Sequence, residues 1–262
     1  MEYKKHLNLG RPKCITALVI AVSIWTTASV GLLAQDGSPI AAGASVRPLA
    51  TGFIFIEGPA SDTAGNLFFT DIPNERIYRL VQEESVTVMV FREDSSRANG
   101  LWVGPEGDLL VCEMGQRQVT AISPDDGNHV FYITPDLERV IQVTTDLARP
   151  NDVIGTSNGS CLYVADHGGR RTSIYDIAPD GRLRNQRLFV AHGSDGMTLD
   201  VRGNVYLTGN DVTIYNSNGN PVGSIAVPEP PANLAFGGAD GKTLFITART
   251  SLYAVEMTVT GQ

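Results

Sequence analysis

Residues 53–80 read FIFIEGPASDTAGNLFFTDIPNERIYRL and form one complete module of short strands and tight turns. An apolar strand over 53–56 runs into Glu57-Gly58-Pro59, and a Gly65-Asn66 turn follows eight residues after Glu57. A second strand over 67–70 ends at Asp71, and beyond Pro73-Asn74 a third spans 76–80. Short runs of β-branched and aromatic residues suit a pleated, half-buried surface. Gly, Pro and Asn between them supply the backbone angles a turn needs, so the pattern predicts strands joined by turns.

The module recurs. A polar residue stands eight positions before a turn glycine five times: Glu57 and Gly65, Asn99 and Gly107, Asn151 and Gly159, Asp195 and Gly203, Asn233 and Gly241. A strand follows each glycine (LFFT, LLVC, LYVA, VYLT, LFIT), and a third strand follows that (RIYRL, QVTAI, SIYDI, VTIYN, SLYAV). The spacing between polar residues is 42, 52, 44 and 38. Periods near forty with three or four strands each predict an all-β fold, a β-propeller with one sheet per blade around a central channel. A β-sandwich matches the strand density but not five copies in phase. The 52-residue interval holds an extra hairpin, HVFYI (129–133) and RVIQV (139–143), with no polar-residue–glycine motif of its own; it reads as the outer half of a truncated blade. Propellers must close their first and last blades or leave an open edge, so residues 46–51 are expected beside the C-terminal strands.

Ahead of the repeats, residues 1–34 pair a basic front (Lys4, Lys5, Arg11, Lys13) with an apolar run from Ile15 to Ala34. This predicts a signal peptide, or an N-terminal anchor if uncleaved, and places the rest beyond the cytoplasmic membrane, periplasmic or secreted. Residues 35–50 read as a linker and the start of the closing strand, and 51–262 as a single propeller domain. Four Lys/Arg and one Glu lie in 1–34; the remaining 16 basic and 27 acidic residues carry a net charge of −11. That argues against a nucleic-acid partner, which needs clustered positive charge, and it favours cation binding where carboxylates converge. Membrane contact is expected only through an uncleaved N-terminal segment, and the chain is expected to be a monomer. Cys112 and Cys161, on neighbouring modules, read as small buried apolar residues rather than a disulfide, and no zinc spacing is present.

The innermost strand of each blade faces the channel. Glu57, Asn99, Asn151, Asp195 and Asn233, each at the same phase, therefore converge at one mouth. Two carboxylates and several amide oxygens aimed at one spot repel and pay for desolvation, and a hard divalent cation with oxygen ligands relieves both. In any single module a polar residue before Gly reads as well as a turn former; the shared phase of all five favours convergence. Asn233 is the weakest member, since Pro230-Pro231 also explains a break there. Arg97 and Arg149, each two residues before a key Asn, are candidates to contact an anionic or polyol substrate, though surface arginine is the default. His192, three residues before Asp195, reads as a polar loop residue, and His167 as a turn former. No GxSxG, phosphate loop or GxGxxG is present.

GluGlyPro with GlyAsnLeuPhePheThrAsp (57–71), AlaAsnGlyLeu (98–101), ArgProAsnAsp (149–152) with LeuTyrValAlaAsp (162–166), SerAspGlyMet (194–197) and LeuPheIleThrAla (244–248) together resemble the family of senescence marker protein, gluconolactonase and luciferin-regenerating enzyme. The resemblance covers residues 52–262. It implies a six-bladed propeller with one divalent metal in the channel, Ca2+ before Zn2+, Mn2+ or Mg2+, and hydrolysis of sugar lactones. By match the metal ligands are Glu57, Asn151 and Asp195, with Asp195 also the catalytic base and Asn99 and Arg97 on the substrate, a lactone or sugar-acid derivative. Members of the family carry two successive ProAsn motifs and this chain has one, so most of one blade is missing between about Ile122 and His129. The rival reading is a non-catalytic secreted propeller, a binding module with a degenerate site.

Overall fold

The structure, a computed structural model, describes residues 37–82, 86–103, 109–113, 131–133, 140–144 and 146–262. The basic and apolar segment 1–34, the expected strand 118–122 and the gap at 122–129 lie outside the described residues. Every regular element among the described residues is a strand. They run β1 (Arg47–Thr51), β2 (Ile56–Ser61), β3 (Leu67–Asp71), β4 (Arg76–Gln82), β5 (Val86–Arg92), β6 (Ala98–Val103), β7 (Leu109–Glu113), β8 (Phe131–Ile133), β9 (Val140–Gln142), β10 (Pro150–Gly155), β11 (Cys161–Asp166), β12 (Arg171–Ile177), β13 (Leu183–Val190), β14 (Met197–Leu199), β15 (Val205–Thr208), β16 (Val212–Tyr215), β17 (Pro221–Ile225), β18 (Asn233–Gly237), β19 (Thr243–Ala248) and β20 (Ser251–Glu256).

These strands build four antiparallel four-stranded sheets, ordered β2-β3-β4-β5, β10-β11-β12-β13, β14-β15-β16-β17 and β1-β20-β19-β18, with two-stranded sheets β6-β7 and β8-β9. The sheets are propeller blades. Their inner strands stand side by side in the order β6, β2, β18, β14, β10. β1 pairs antiparallel with β20, so a strand from the start of the domain completes the last blade, as the reading of 46–51 required. β8 pairs with β9 as the hairpin at 129–143 was expected to do.

The core lies between the blades. Phe53, Ile56, Leu67, Phe69, Tyr78 and Leu80 of one blade pack on Phe245, Leu252 and Ala254 of the closing blade. Tyr206, Val212 and Ile214 meet Leu244, Ile246 and Val255 on the other side. Each such side chain contributes roughly 1.5–3 kcal/mol by leaving water. Threonines fasten the inner strands to one another. The Thr70 hydroxyl lies 3.1 Å from the carbonyl oxygens of both Glu57 and Asn99, and the Thr208 hydroxyl 3.2 Å from those of Gly196 and Ala232.

Three expectations are corrected. The first strand of the opening module starts at Ile56, not Phe53. Phe53 instead packs edge-on against Phe69 and Tyr78, while the Ile54 and Phe55 N–H groups donate to the Asp71 carboxylate rather than to a ladder. Four-stranded blades, within the three or four strands expected, include an outer strand (β5, β13, β17); the polar run of Leu183–Val190 carries no hydrophobic signal for one because its side chains lie mostly in solvent. Residues 38–41 are no free linker, since Ile40 bridges to Met257 and is buried in the core. Neither cysteine is a buried core residue: Cys112 is exposed and Cys161 half-buried, both as free thiols. Cys112 holds on β7 the position that Thr70 holds on β3, where the next inner strand provides cover; among the described residues no strand covers Cys112.

Candidate metal and substrate site

The five polar residues share one end of the inner strands. Glu57, Asn99 and Asn151 are each second in β2, β6 and β10, Asn233 opens β18, and Asp195 stands two residues before β14. Two glycines let neighbouring strands close up there. A Cβ on Gly58 would fall 1.9 Å from the Asn99 carbonyl oxygen, and its φ is +51°. A Cβ on Gly196 would fall 2.4 Å from Asn233 Oδ1. The glycines after Glu57 and Asp195 are thus what allows the carboxylates to approach their neighbours.

Glu57 is 6 % exposed. Its Oε2 accepts from the Gly58 N–H at 3.2 Å, and the Asn233 side chain also hydrogen-bonds it. Burial, then the negative charge of Asp195, push its carboxyl up to about 7, against those two bonds; Asp152 adds a smaller push. Asp195 is raised as well, by burial, with the Asn151 hydrogen bond and the charges of His167 and Arg149 pulling the other way. The Asn151 side-chain amide donates to Asp195 Oδ1, joining two blades. Asn233 Oδ1 accepts from the Leu234 N–H at 2.8 Å. The structure therefore brings Glu57, Asn151, Asp195 and Asn233 into one electrostatically coupled group, with Asn99 alongside through its backbone.

Other candidates separate. Arg97 is exposed, two residues before Asn99, in a left-handed conformation (φ +55°). Among the described residues it makes no ion pair with the mouth carboxylates. His192 turns to Tyr215, its Nδ1 lying 3.0 Å from the hydroxyl, and burial lowers its pKa. His167 shapes a turn, its carbonyl accepting from the Arg170 N–H at 3.3 Å, but its charge also bears on Asp195.

One residue was missed. Asp152 accepts from the Met197 N–H at 2.6 Å and the Val153 N–H at 2.8 Å, tying β10 to the strand after Asp195. Burial, with Asp195 adding charge repulsion, raises it to about 7. A signal was present: the residue after the mouth position is Gly58, Gly100, Gly196 or Leu234 elsewhere, and acidic only here.

As a donor set the group is hard oxygen: two carboxylates and an amide, with no lysine or arginine paired to Glu57 among the described residues. Among those residues no three His, Cys, Asp or Glu side chains are arranged as a metal cluster. The Glu57–Asn151–Asp195 set, with only two acids, is not such a group. The charge of half-buried Asp195 against buried Glu57 is nonetheless the imbalance that a divalent cation corrects, so these residues fit one.

Residues 82–250, more than half of the chain, match the SMP-30/Gluconolactonase/LRE-like region, and the chain belongs to that family. It is 23% identical over 290 aligned residues to a gluconolactonase of Zymomonas mobilis, covering 80% of each chain. The fold is similar to that of a gluconolactonase of Xanthomonas campestris, with a TM-score of 0.78 at 19% identity over 92% of this chain and 100% of that one. It is also similar to that of a calcium-binding protein, regucalcin, of Agrobacterium tumefaciens, with a TM-score of 0.67 at 16% identity over 86% and 96%.

Proposed function

We propose that this chain is an exported, divalent-cation-dependent hydrolase of sugar lactones, built on a six-bladed type of propeller in which the β8–β9 hairpin stands as one truncated blade. The observation that carries the reading is the Glu57–Asp195 pair. Burial raises both carboxyls, the charge of Asp195 adds to the push on Glu57, and among the described residues no lysine or arginine is paired with Glu57. Family membership and the gluconolactonase relatives support lactone hydrolysis. The regucalcin neighbour supports calcium as the ion.

Glu57, Asn151 and Asp195 would hold the cation, which when bound supplies Lewis-acid polarisation of the lactone carbonyl. The remaining work falls to the chain. Asn99 and Arg97 orient the hydroxyl or carboxylate groups of the substrate. Asp195, half-buried at the mouth where Glu57 is buried, is the carboxylate that water reaches. It takes the proton as water adds to the carbonyl carbon. The ring C–O bond then breaks, the proton passes to the departing alkoxide, and the product is a hydroxy acid. Arg149 and His167 bring positive charge to the same carboxylate and help to keep it ionised.

The test is ring opening of glucono-δ-lactone followed by pH-stat, after removal of metal and after calcium is returned. Calcium-dependent acid release is expected. Calcium binding with no hydrolysis favours the binding-module reading. Export is tested separately by the N-terminus of the mature protein and the compartment holding it.

A further inference from the structure

Each mouth residue is reached through a short loop, and in two blades an aspartate braces that loop. Asp71, at the end of β3, accepts the N–H groups of Ile54 (3.1 Å) and Phe55 (3.2 Å), three and two residues before Glu57. Asp166, at the end of β11, accepts those of Ala148 (2.9 Å) and Arg149 (2.7 Å), three and two residues before Asn151. The second strands align as LFFTD (67–71), LYVAD (162–166), LFITA (244–248) and VYLTG (205–209), and the brace is the fifth residue. In the blade of Asn233 the fifth residue is Ala248, and the two loop positions are Pro230 and Pro231, which have no N–H to donate. In the blade of Asn99 it is Glu113, which pairs with Arg92 at 2.6 Å.

The blade of Asp195 is the exception. Its fifth residue is Gly209, while the loop has a usable N–H at His192 and Gly193. A Cβ built on Gly209 would stand 3.0 Å from His192 Nε2 and 3.7 Å from its Cε1. The imidazole therefore lies where an aspartate side chain would begin. The ring is held by Tyr215 through Nδ1 (3.0 Å), and the His192 carbonyl accepts from the Thr172 hydroxyl at 2.7 Å. Four blades thus show three matched solutions: a carboxylate accepting two N–H groups, alanine under prolines, and glycine under a histidine ring.

We propose that His192 is the positioning residue for Asp195, its side chain filling the slot that Asp71 and Asp166 fill for Glu57 and Asn151. The consequence for ligand binding rests on the functional reading above; the brace itself does not. Two amides report on the loop that follows. Gly196 N–H donates to Thr208 Oγ1 at 2.9 Å and Met197 N–H to Asp152 Oδ2 at 2.6 Å.

The experiment is hydrogen–deuterium exchange on the metal-free full chain, comparing wild type, His192→Ala, Gly209→Asp and the double variant. Each single change should speed exchange across 191–199, by on the order of tenfold for the loss of one half-buried anchor: the first empties the slot, the second crowds it. The double variant supplies the carboxylate of the other blades to an empty slot, since Gly209 is not in the left-handed region. It should return exchange close to wild type, a non-additivity that general destabilisation would not give. If His192→Ala fails to fold, recovery of folding in the double variant is the same rescue. Unchanged exchange in His192→Ala, or a double variant no better than either single one, overturns the proposal. Calcium titration of the wild type in parallel separates the two readings. A wild type that binds no calcium removes the metal assignment and leaves the brace standing.

Discussion

Replacing Glu57 with Gln should stabilise the metal-free protein at pH 8, although it removes a proposed ligand. Glu57 ionises near 4.5 in an unfolded chain and at about 7 in the fold, because burial and Asp195 disfavour its charge. At 1.36 kcal/mol per unit, the folded state loses roughly 3 kcal/mol in ionising it. The sign follows from proton binding. Between pH 4.5 and 7 the folded protein holds a proton that the unfolded chain has released, so stability falls as pH rises through that window. The loss is complete above it. Below pH 4.5 both states are protonated and nothing is lost. Gln cannot ionise and keeps the stability at every pH, less the cost of burying an extra N–H2. Urea unfolding in metal-free buffer should therefore place Glu57→Gln about 2–3 kcal/mol above wild type at pH 8, and level with it or slightly below at pH 4.5. Calcium should close the gap at pH 8 at a hundredfold excess over Kd, where wild type gains about 2.7 kcal/mol and the variant does not, and reverse the order at a thousandfold excess, where the gain is about 4.1 kcal/mol. A variant less stable than wild type at pH 8 without metal, or a difference that ignores pH, would refute the claim that Glu57 is a charge held at a cost for a cation.

Asp195→Asn should lower lactone hydrolysis by at least about a hundredfold in a pH-stat assay while keeping the fold; retention of most activity would remove it from the base role. Arg149→Met should move the acidic limb of the pH–rate profile upward by less than about one unit, because a partly solvated charge that holds Asp195 down is lost. A downward shift contradicts that electrostatic assignment. Thr70→Val removes the hydroxyl shared by the Glu57 and Asn99 carbonyls and should cost about 1–2 kcal/mol in urea unfolding; no loss would mean those strands are held by packing alone. Gly196→Ala puts a methyl group 2.4 Å from Asn233 Oδ1 and should cost about 3 kcal/mol, with weaker calcium binding in calorimetry. A variant matching wild type in both would show that the loop relaxes freely.

Much of this was legible in the sequence because a repeat averages out local ambiguity. A single Glu-Gly or Asn-Gly pair reads as well as a turn as it does a ligand, but five polar residues at one phase must share one end of five inner strands, and they do. The closing strand was legible for a different reason, since an open sheet edge has to be covered and residues 46–51 were the free candidate. The first strand was misplaced because Phe53–Ile56 is apolar enough to be either ladder or core. Only the fold reveals that Asp71 claims the Ile54 and Phe55 N–H groups. The outer strand Leu183–Val190 has mostly exposed side chains, so no hydrophobic period marks it. Asp152 escaped because its role is defined across blades, by a Met197 N–H that is 45 residues away in sequence.

The contacts that cross from blade to blade are also what turn five separate strands into one site. Along each inner strand the chain contributes a polar group, but the spacing between groups is set by what lies between strands: glycine where backbones must touch, a threonine hydroxyl where two carbonyls must be held apart at bonding distance, an aspartate or a histidine under the approach loop. None of these devices carries charge to the ligand, and each is replaceable in isolation. Repulsion between Glu57 and Asp195 works against all of them at neutral pH. A mouth assembled without such fastening would spread until the carboxylates were solvated, and its affinity for a cation would fall with them. Holding like charges together in advance costs folding stability and lowers the reorganisation that binding requires. The same trade predicts that variants weakening any fastener relieve the repulsion, so their loss in calcium affinity should exceed their loss in metal-free stability.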